Sequence, residues 1–387
     1  MLSISDDKGE NMKNTIGIIT MLLLVAACSN QASTTTQAVA EQPIKVGVNF
    51  PMTGGLSIYG EPLYEGLMLG IEEVNKAGGV NGRPMQIILE DNGGKPQNAV
   101  SAAQKMIETD NVHIMLSTIV GPTGAIAPIT ESNKKVLLYA AATDTFARQN
   151  IYVFKDSVDA KYDCEVLVAE ALKQDMNRIA LLGAIGEFTE DCKKSIEEGI
   201  VKAGIGELVL YEIYERGETD FRTRLTKIQA RSPDVIFISA YADDCILIWK
   251  HIKELNVQIP FMIPFAQTGC GEERAMRGIM GFPATIIGLD FVVDQNSPEY
   301  HNFINGFRAK YGKDPSLPFF TMLAYDWAHY IAKAFEQCNA EDSTCLRTTL
   351  EKTNHNGALG KVLFEPHHAT FRPRKLIAFE KDTWIDK

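Results

Sequence analysis

The side chains able to do proton-transfer, nucleophilic or metal chemistry are present in this sequence but not gathered. Seven histidines, at 113, 251, 301, 329, 355, 367 and 368, are scattered. The adjacent His367 and His368 could grip a metal ion, yet one neighbouring pair in a polar stretch reads as a solvated loop. Asp243-Asp244 has the form of a carboxylate dyad. It also precedes an amphipathic stretch, where Asp243 suits a helix N-cap and Asp244 the favourable first turn. Lys134-Lys135 and Lys193-Lys194 read as solvated faces. The sequence carries no GxGxxG after its first strand pattern, no Walker A motif, no GxSxG elbow and no HExxH. We expect no catalytic residues, no metal and no cofactor, and therefore a chain that binds its ligand without converting it.

The 387 residues carry 38 basic and 49 acidic side chains, a net charge of −11, without a Lys/Arg cluster. A nucleic-acid binder needs a basic face, so DNA and RNA are not expected partners. A composition 45% hydrophobic and 22% charged is that of a globular chain, and the length suits two domains.

Residues 1–27 read as an export signal, with the apolar run Ile16–Ala27 too short to span a bilayer. A start at Met12 fits better than Met1, because Met1–Glu10 is polar and acidic. Val25-Ala26-Ala27-Cys28 resembles the lipobox of bacterial lipoproteins, which implies a diacylglycerol on Cys28 and an anchor in the cell envelope. With Ser29 next, the outer membrane is favoured if there are two. Residues 28–42 are then the lipidated Cys and a flexible tether, reaching about 45 Å at full extension. Six cysteines remain: Cys164, Cys192, Cys245, Cys270, Cys338 and Cys345. An even number in an exported chain allows up to three disulfides. Chain proximity favours Cys338–Cys345; Cys164–Cys192 and Cys245–Cys270 are one way to pair the others, and buried free thiols remain the alternative.

The elements that would position a site are legible from Ile44 onward. Short apolar runs (IKVGVNF 44–50, MQIILE 85–90, VHIML 112–116, VLLYA 136–140) alternate with amphipathic stretches such as Pro62–Asn75. The alternation restarts with RIALL (178–182), ELVLYEIY (207–214), DVIFISA (234–240) and FMIPF (261–265). Strands apolar on both faces, alternating with helices, mean parallel sheets covered on both sides. The fold class expected is therefore α/β, two doubly wound parallel-sheet lobes joined by a hinge near Lys155–Asp159. The later helices Pro298–Tyr311 and Thr321–Cys338 could belong to either lobe. Ligands of such sheets bind beyond the carboxyl ends of the strands. That selects the loops Pro51–Gly60, Asp91–Lys95, Ser117–Gly124, Ala141–Thr145, Gly183–Phe188, Tyr241–Asp244 and Phe265–Gly271.

PMTGGLSIYGEPLYEG (51–66) and EVNKAGGVNGRP (73–84) resemble the opening of the leucine/isoleucine/valine-binding protein family, type I periplasmic solute-binding proteins of ABC transporters. The resemblance runs, weakening, from about Ile44 to Phe379. It implies an N-lobe of 43–156 plus 291–355, a C-lobe of 157–290 plus 356–387, and capture of a small molecule in the cleft between them. It also implies a membrane ABC permease as partner and a monomeric receptor.

Carried over residue by residue, AAAT (140–143) matches the family's carboxylate-binding loop, with Thr143 supplying a hydroxyl and Ala141 and Ala142 the backbone. Tyr59, Phe188 and Tyr241 fall where the family has aromatic cleft walls. Two positions depart from the pattern. Val120, followed by Gly121, stands where amino-acid binders have a serine, and Phe265 stands where they have the acid that holds the ligand's ammonium. A buried ammonium without an anionic partner is strongly unfavourable. The expected ligand is therefore a carboxylate, an aromatic acid or an amide rather than a zwitterionic amino acid, unless Asp243, Asp244 or Glu187 substitutes. The alternative function is a ligand-sensing module of the same fold not coupled to a permease, which a fused transmembrane helix or kinase would mark.

Overall fold

The computed structural model describes residues 42–266 and 268–387. Residues 1–41, on which the expected export signal (1–27), the expected lipid-attachment residue Cys28 and most of the expected tether (28–42) fall, lie outside the described residues.

The first body alternates strand and helix: β1 (Ile44–Phe50), α1 (Ser57–Lys76), β2 (Met85–Asp91), α2 (Pro96–Glu108), β3 (Ile114–Thr118), α3 (Val120–Ser132), β4 (Val136–Ala140), α4 (Thr145–Gln149) and β5 (Val153–Lys155). Its five strands are all parallel in the order β2-β1-β3-β4-β5. The inner strands β3 and β4 are buried at every residue, which is why their sequences are continuous apolar runs rather than alternating ones.

The second body follows with α5 (Ala160–Lys173), β6 (Arg178–Ala184), α6 (Glu187–Ala203), β7 (Glu207–Tyr214), α7 (Arg222–Ala230), β8 (Val235–Ser239), α8 (Ala242–Glu254), β9 (Phe261–Ile263), α9 (Glu273–Met276) and β10 (Ile286–Phe291). The chain then adds α10 (Pro298–Tyr311), α11 (Pro318–Glu336), α12 (Ser343–Leu350), the hairpin β11 (Asn354–Gly357) and β12 (Gly360–Leu363), and finally β13 (Arg374–Glu380) and β14 (Thr383–Asp386). The second sheet runs β14-β13-β10-β9-β8-β6-β7. Strands β6 to β10 are parallel as expected; β13 and β14 close one edge in antiparallel register.

Local chemistry fixes the helix ends. Ser297 caps α10, its hydroxyl accepting from the Tyr300 N–H, with Pro298 in the first turn and Gly312 in the left-handed conformation at the end. Asp159 caps α5 in the same way, accepting from Tyr162 N–H. Glycine also sets helix contact. A Cβ on Gly66 would fall 1.9 Å from the Thr321 carbonyl, and one on Gly70 2.6 Å from Ala328 Cβ, so α1 and α11 approach at a distance only glycine permits. That contact assigns α11 to the first body, although it follows both sets of strands.

Three stretches connect the bodies: 156–159, 292–297 and 364–373. The expected return to the second lobe at residue 356 requires correction. The hairpin β11–β12 stays on the first body, because the buried Asp326 carboxylate of α11 accepts from Ala358 N–H (2.7 Å) and Leu359 N–H (3.0 Å). Only from Arg374 does the chain join the second sheet.

Two crossing stretches are locked together by one buried carboxylate. Asp156 accepts from Arg372 (2.9 Å), Thr370 (2.7 Å), Trp327 (3.1 Å) and Tyr330 (3.2 Å). A buried carboxylate is tolerable when donors surround it in this way. The six described cysteines are paired Cys164–Cys192, Cys245–Cys270 and Cys338–Cys345. The first joins α5 to α6, and the third joins the end of α11 to α12.

Candidate functional site

The carboxyl ends of the two sheets face each other, and between them lies a small cavity of about 60 Å³. From the first body, the end of β3 supplies Thr118, Ile119 and Val120, and the end of β4 supplies Ala140, Ala141 and Ala142. From the second, Phe188 stands in the first turn of α6, Tyr241 at the cap of α8, and Phe265 in the loop after β9. Tyr59 of α1 and Phe320 of α11 complete the walls, and Ser157 and Val158 of the first crossing stretch lie on the hinge side.

The walls are largely aromatic. Phe188 meets Tyr241 edge-on at 5.2 Å between centroids and Phe265 at 6.0 Å; Tyr59 meets Tyr241 at 6.1 Å and Phe320 at 5.7 Å. Edge-to-face rings at these separations hold one another in place and leave flat faces for a guest. The Arg216 guanidinium lies over the Tyr241 ring, 4.7 Å from its centroid, and fixes it from behind.

The Tyr59 hydroxyl is hydrogen-bonded across the cleft. The Ala242 N–H, at the start of α8, donates to the Tyr59 hydroxyl at 3.0 Å. Burial drives the Tyr59 phenol well above its usual pKa, and the Tyr241 phenol is pushed up to about 12 for the same reason. Both keep their protons at neutral pH. Tyr59 can thus accept from Ala242 while keeping its own O–H to donate.

Helix starts point at the cavity from both sides. The first N–H groups of α3 follow Ile119, which is held at φ 68°, ψ 134°, a conformation costly for a β-branched residue. This turn aims the positive end of α3 at the cavity. The electrostatics are one-sided: among the described residues no acidic side chain lines the cavity. Asp244 is engaged elsewhere, accepting from the Tyr214 hydroxyl at 3.0 Å with Arg216 at 3.9 Å, and its pKa is raised by burial. Asp243 pairs with Arg274 at 3.4 Å. Neither caps α8 with its side chain; the cap position falls on Tyr241, so both acids stand in the first turn.

Of the residues expected from sequence, Tyr59, Val120, Ala141, Ala142, Phe188, Tyr241 and Phe265 meet at this cavity. Gly121 and Thr143 are not among its lining. The Thr143 hydroxyl bonds the Thr145 hydroxyl at 2.9 Å and accepts from the Thr145 N–H at 3.3 Å. It also faces the Asp191 carboxyl of the opposite body, so it serves the local turn and the meeting of the lobes. Asp191 and Glu187 both have raised pKa values, chiefly through burial, with nearby carboxylates adding to it. Phe320 and Ser157 carry no signal in the sequence pattern, whereas Thr118, Ile119, Thr268 and Gly269 lie in the loops Ser117–Gly124 and Phe265–Gly271.

The family model described as periplasmic binding protein matches residues 43–382, and the chain belongs to that family. It is a family of solute-binding proteins rather than enzymes, and the two-bodied α/β architecture is its type I fold. Similar proteins include the leucine-, isoleucine-, valine-, threonine- and alanine-binding protein of Pseudomonas aeruginosa, 25% identical over 85% of this chain and 87% of that protein. Among solved structures, the branched-chain amino acid transporter substrate-binding protein LivJ from Streptococcus pneumoniae, in complex with isoleucine, is 22% identical. Its TM-score is 0.76, over 88% of this chain and 97% of that one. An ABC transporter solute-binding protein from R. palustris, in complex with 4-hydroxybenzoate, is 18% identical with a TM-score of 0.79, over 89% and 95%.

Proposed function

We propose that this chain is the extracytoplasmic, lipid-anchored receptor of an ABC importer, and that it captures a small aromatic carboxylate without an ammonium group. Cys28 is the lipid-attachment residue, the receptor is a monomer, and a membrane permease is the partner that reads its closed form. The observation that carries the ligand class is the chemistry of the wall. Phe265 occupies the position matched to an ammonium-binding acid, and no acidic side chain among the described residues lines the cavity. An α-amino acid would bury its ammonium against aromatic rings alone, with no anion to compensate it. A planar acid instead finds flat aromatic faces for its ring, and helix starts and hydroxyls for its carboxylate. The relatives span both ligand classes, with isoleucine bound in one neighbour and 4-hydroxybenzoate in another.

The mechanism follows from population shift. Open and closed arrangements exchange, and a ligand touching both bodies favours the closed one by its differential affinity. No bond is made or broken in the ligand. The test is mass spectrometry of small molecules released by denaturing purified protein, followed by calorimetry with the compound found. Release of a branched-chain amino acid would refute the ligand class while leaving the receptor role intact.

A further inference from the structure

Of the hydroxyls lining the cavity, the one on the hinge side is both buried and without a hydrogen-bond partner among the described residues. Ser157 is 3% exposed, lines the cavity, and its Oγ has no hydrogen-bond partner among the described residues. Its neighbours are fully committed. Lys155 Nζ bonds Asp159 at 2.7 Å, and Asp156 is saturated by Arg372, Thr370, Trp327 and Tyr330. These bonds clamp the stretch on both sides of Ser157, so its position is imposed by the hinge. A buried hydroxyl without a partner costs free energy, and a cavity beside it is where a partner can enter. The Thr118 hydroxyl, also at the cavity, already donates to the Ala140 carbonyl at 2.7 Å. Thr143, the hydroxyl matched by resemblance to the carboxylate site, is turned to Thr145 and Asp191.

We infer that Ser157, together with the Val120 N–H at the start of α3, seats the carboxylate of the bound acid, in place of Thr143. This rests on the ligand reading given under Proposed function. The Ser157 O–H donates to one carboxylate oxygen, and the N–H of Val120, which opens α3 and lines the same cavity, donates with the positive end of the helix behind it. Because Ser157 lies on a stretch connecting the two bodies, the acid bonds the hinge itself, and its capture bears directly on closure.

The test is calorimetry of wild type and Ser157→Ala with benzoate, 4-hydroxybenzoate and benzamide, with the melting temperature of each unliganded protein. Wild type binds at least one acid and prefers benzoate to benzamide. In Ser157→Ala, acid binding weakens by about 10- to 100-fold, the preference over benzamide shrinks, and the unliganded melting temperature does not fall, since no protein bond is lost. Unchanged acid affinity in the variant would overturn the role of Ser157 and leave the ligand class standing. Weaker binding accompanied by an equal loss for benzamide and a lower melting temperature would make the residue merely structural, and also overturns it. Binding of no acid by wild type would remove the ligand class, and this inference with it.

Discussion

Replacing Tyr59 by Phe removes one oxygen and with it the hydrogen bond that crosses the cleft. The Ala242 N–H that donates to Tyr59 at 3.0 Å is in the first turn of α8, where a helix offers its N–H groups no internal acceptor. In the variant that N–H is left buried and unpaired whenever the lobes meet, which costs about 1–3 kcal/mol. The ring itself is retained, with its edge-on contacts to Phe320 at 5.7 Å and Tyr241 at 6.1 Å, so packing changes little. The bond joins the two bodies rather than atoms within one, and the loss therefore falls on closure more than on folding. A ligand that binds the closed form then loses affinity by about 5- to 150-fold, since each 1.4 kcal/mol is tenfold. Calorimetry with the bound acid measures the affinity, small-angle scattering the mean compactness, and thermal unfolding the stability. The expected result is a weaker Kd, a more open liganded form at subsaturating ligand and a melting temperature near that of wild type. An unchanged Kd would refute the reasoning, because the cross-cleft bond would then contribute nothing to capture.

Other changes test the same geometry. Phe265→Glu restores an acid to the aromatic wall and should create measurable leucine affinity while weakening benzoate binding at least tenfold, as calorimetry would show; a folded variant without leucine binding speaks against the ammonium argument. The Cys245–Cys270 disulfide ties α8, which presents Tyr241, to the loop carrying Phe265 and Thr268. Replacing both cysteines by Ala should lower the melting temperature, by about 2–4 kcal/mol in stability, and weaken ligand binding together, measured by thermal unfolding and titration. Asp191 and Glu187 have raised pKa values in the closed cleft through burial, so closing takes up protons. The sign follows: the closed form is penalised at pH above those raised values and relieved as pH falls through them. Ligand affinity should therefore tighten as pH falls through those raised values, and Asp191→Asn should flatten that profile.

Much of this molecule is written in local pattern. The inner strands β3, β4 and β8 are buried at every residue and read as short, mainly apolar runs bounded by turn residues, and such runs do not depend on distant partners to be read. Tyr59, Phe188, Tyr241 and Phe265 were visible through the resemblance to the family's cleft pattern, and they stand at or near strand-to-helix turns, where a parallel sheet opens toward a ligand. Phe320 was not, since it reaches the cavity through the glycine-mediated contact of α11 with α1, about 260 residues apart in sequence. Ser157 gave no signal because its distinction is a missing partner, which only three-dimensional placement reveals. Thr143 shows how a hydroxyl before a helix start can serve as a turn residue, here bonded to the neighbouring Thr145. The late return of the tail to the second sheet was hidden for a similar reason: the buried Asp326 that retains Ala358 and Leu359 lies 32 residues upstream of the first of them.

The central claim is that the cleft takes an acid and rejects an ammonium. It is tested most directly by titrating the purified protein, stripped of endogenous ligand, with 4-hydroxybenzoate and with leucine in the same calorimeter. Saturable binding of the aromatic acid and no heat from leucine are expected. Tight leucine binding with no response to the aromatic acid would contradict it.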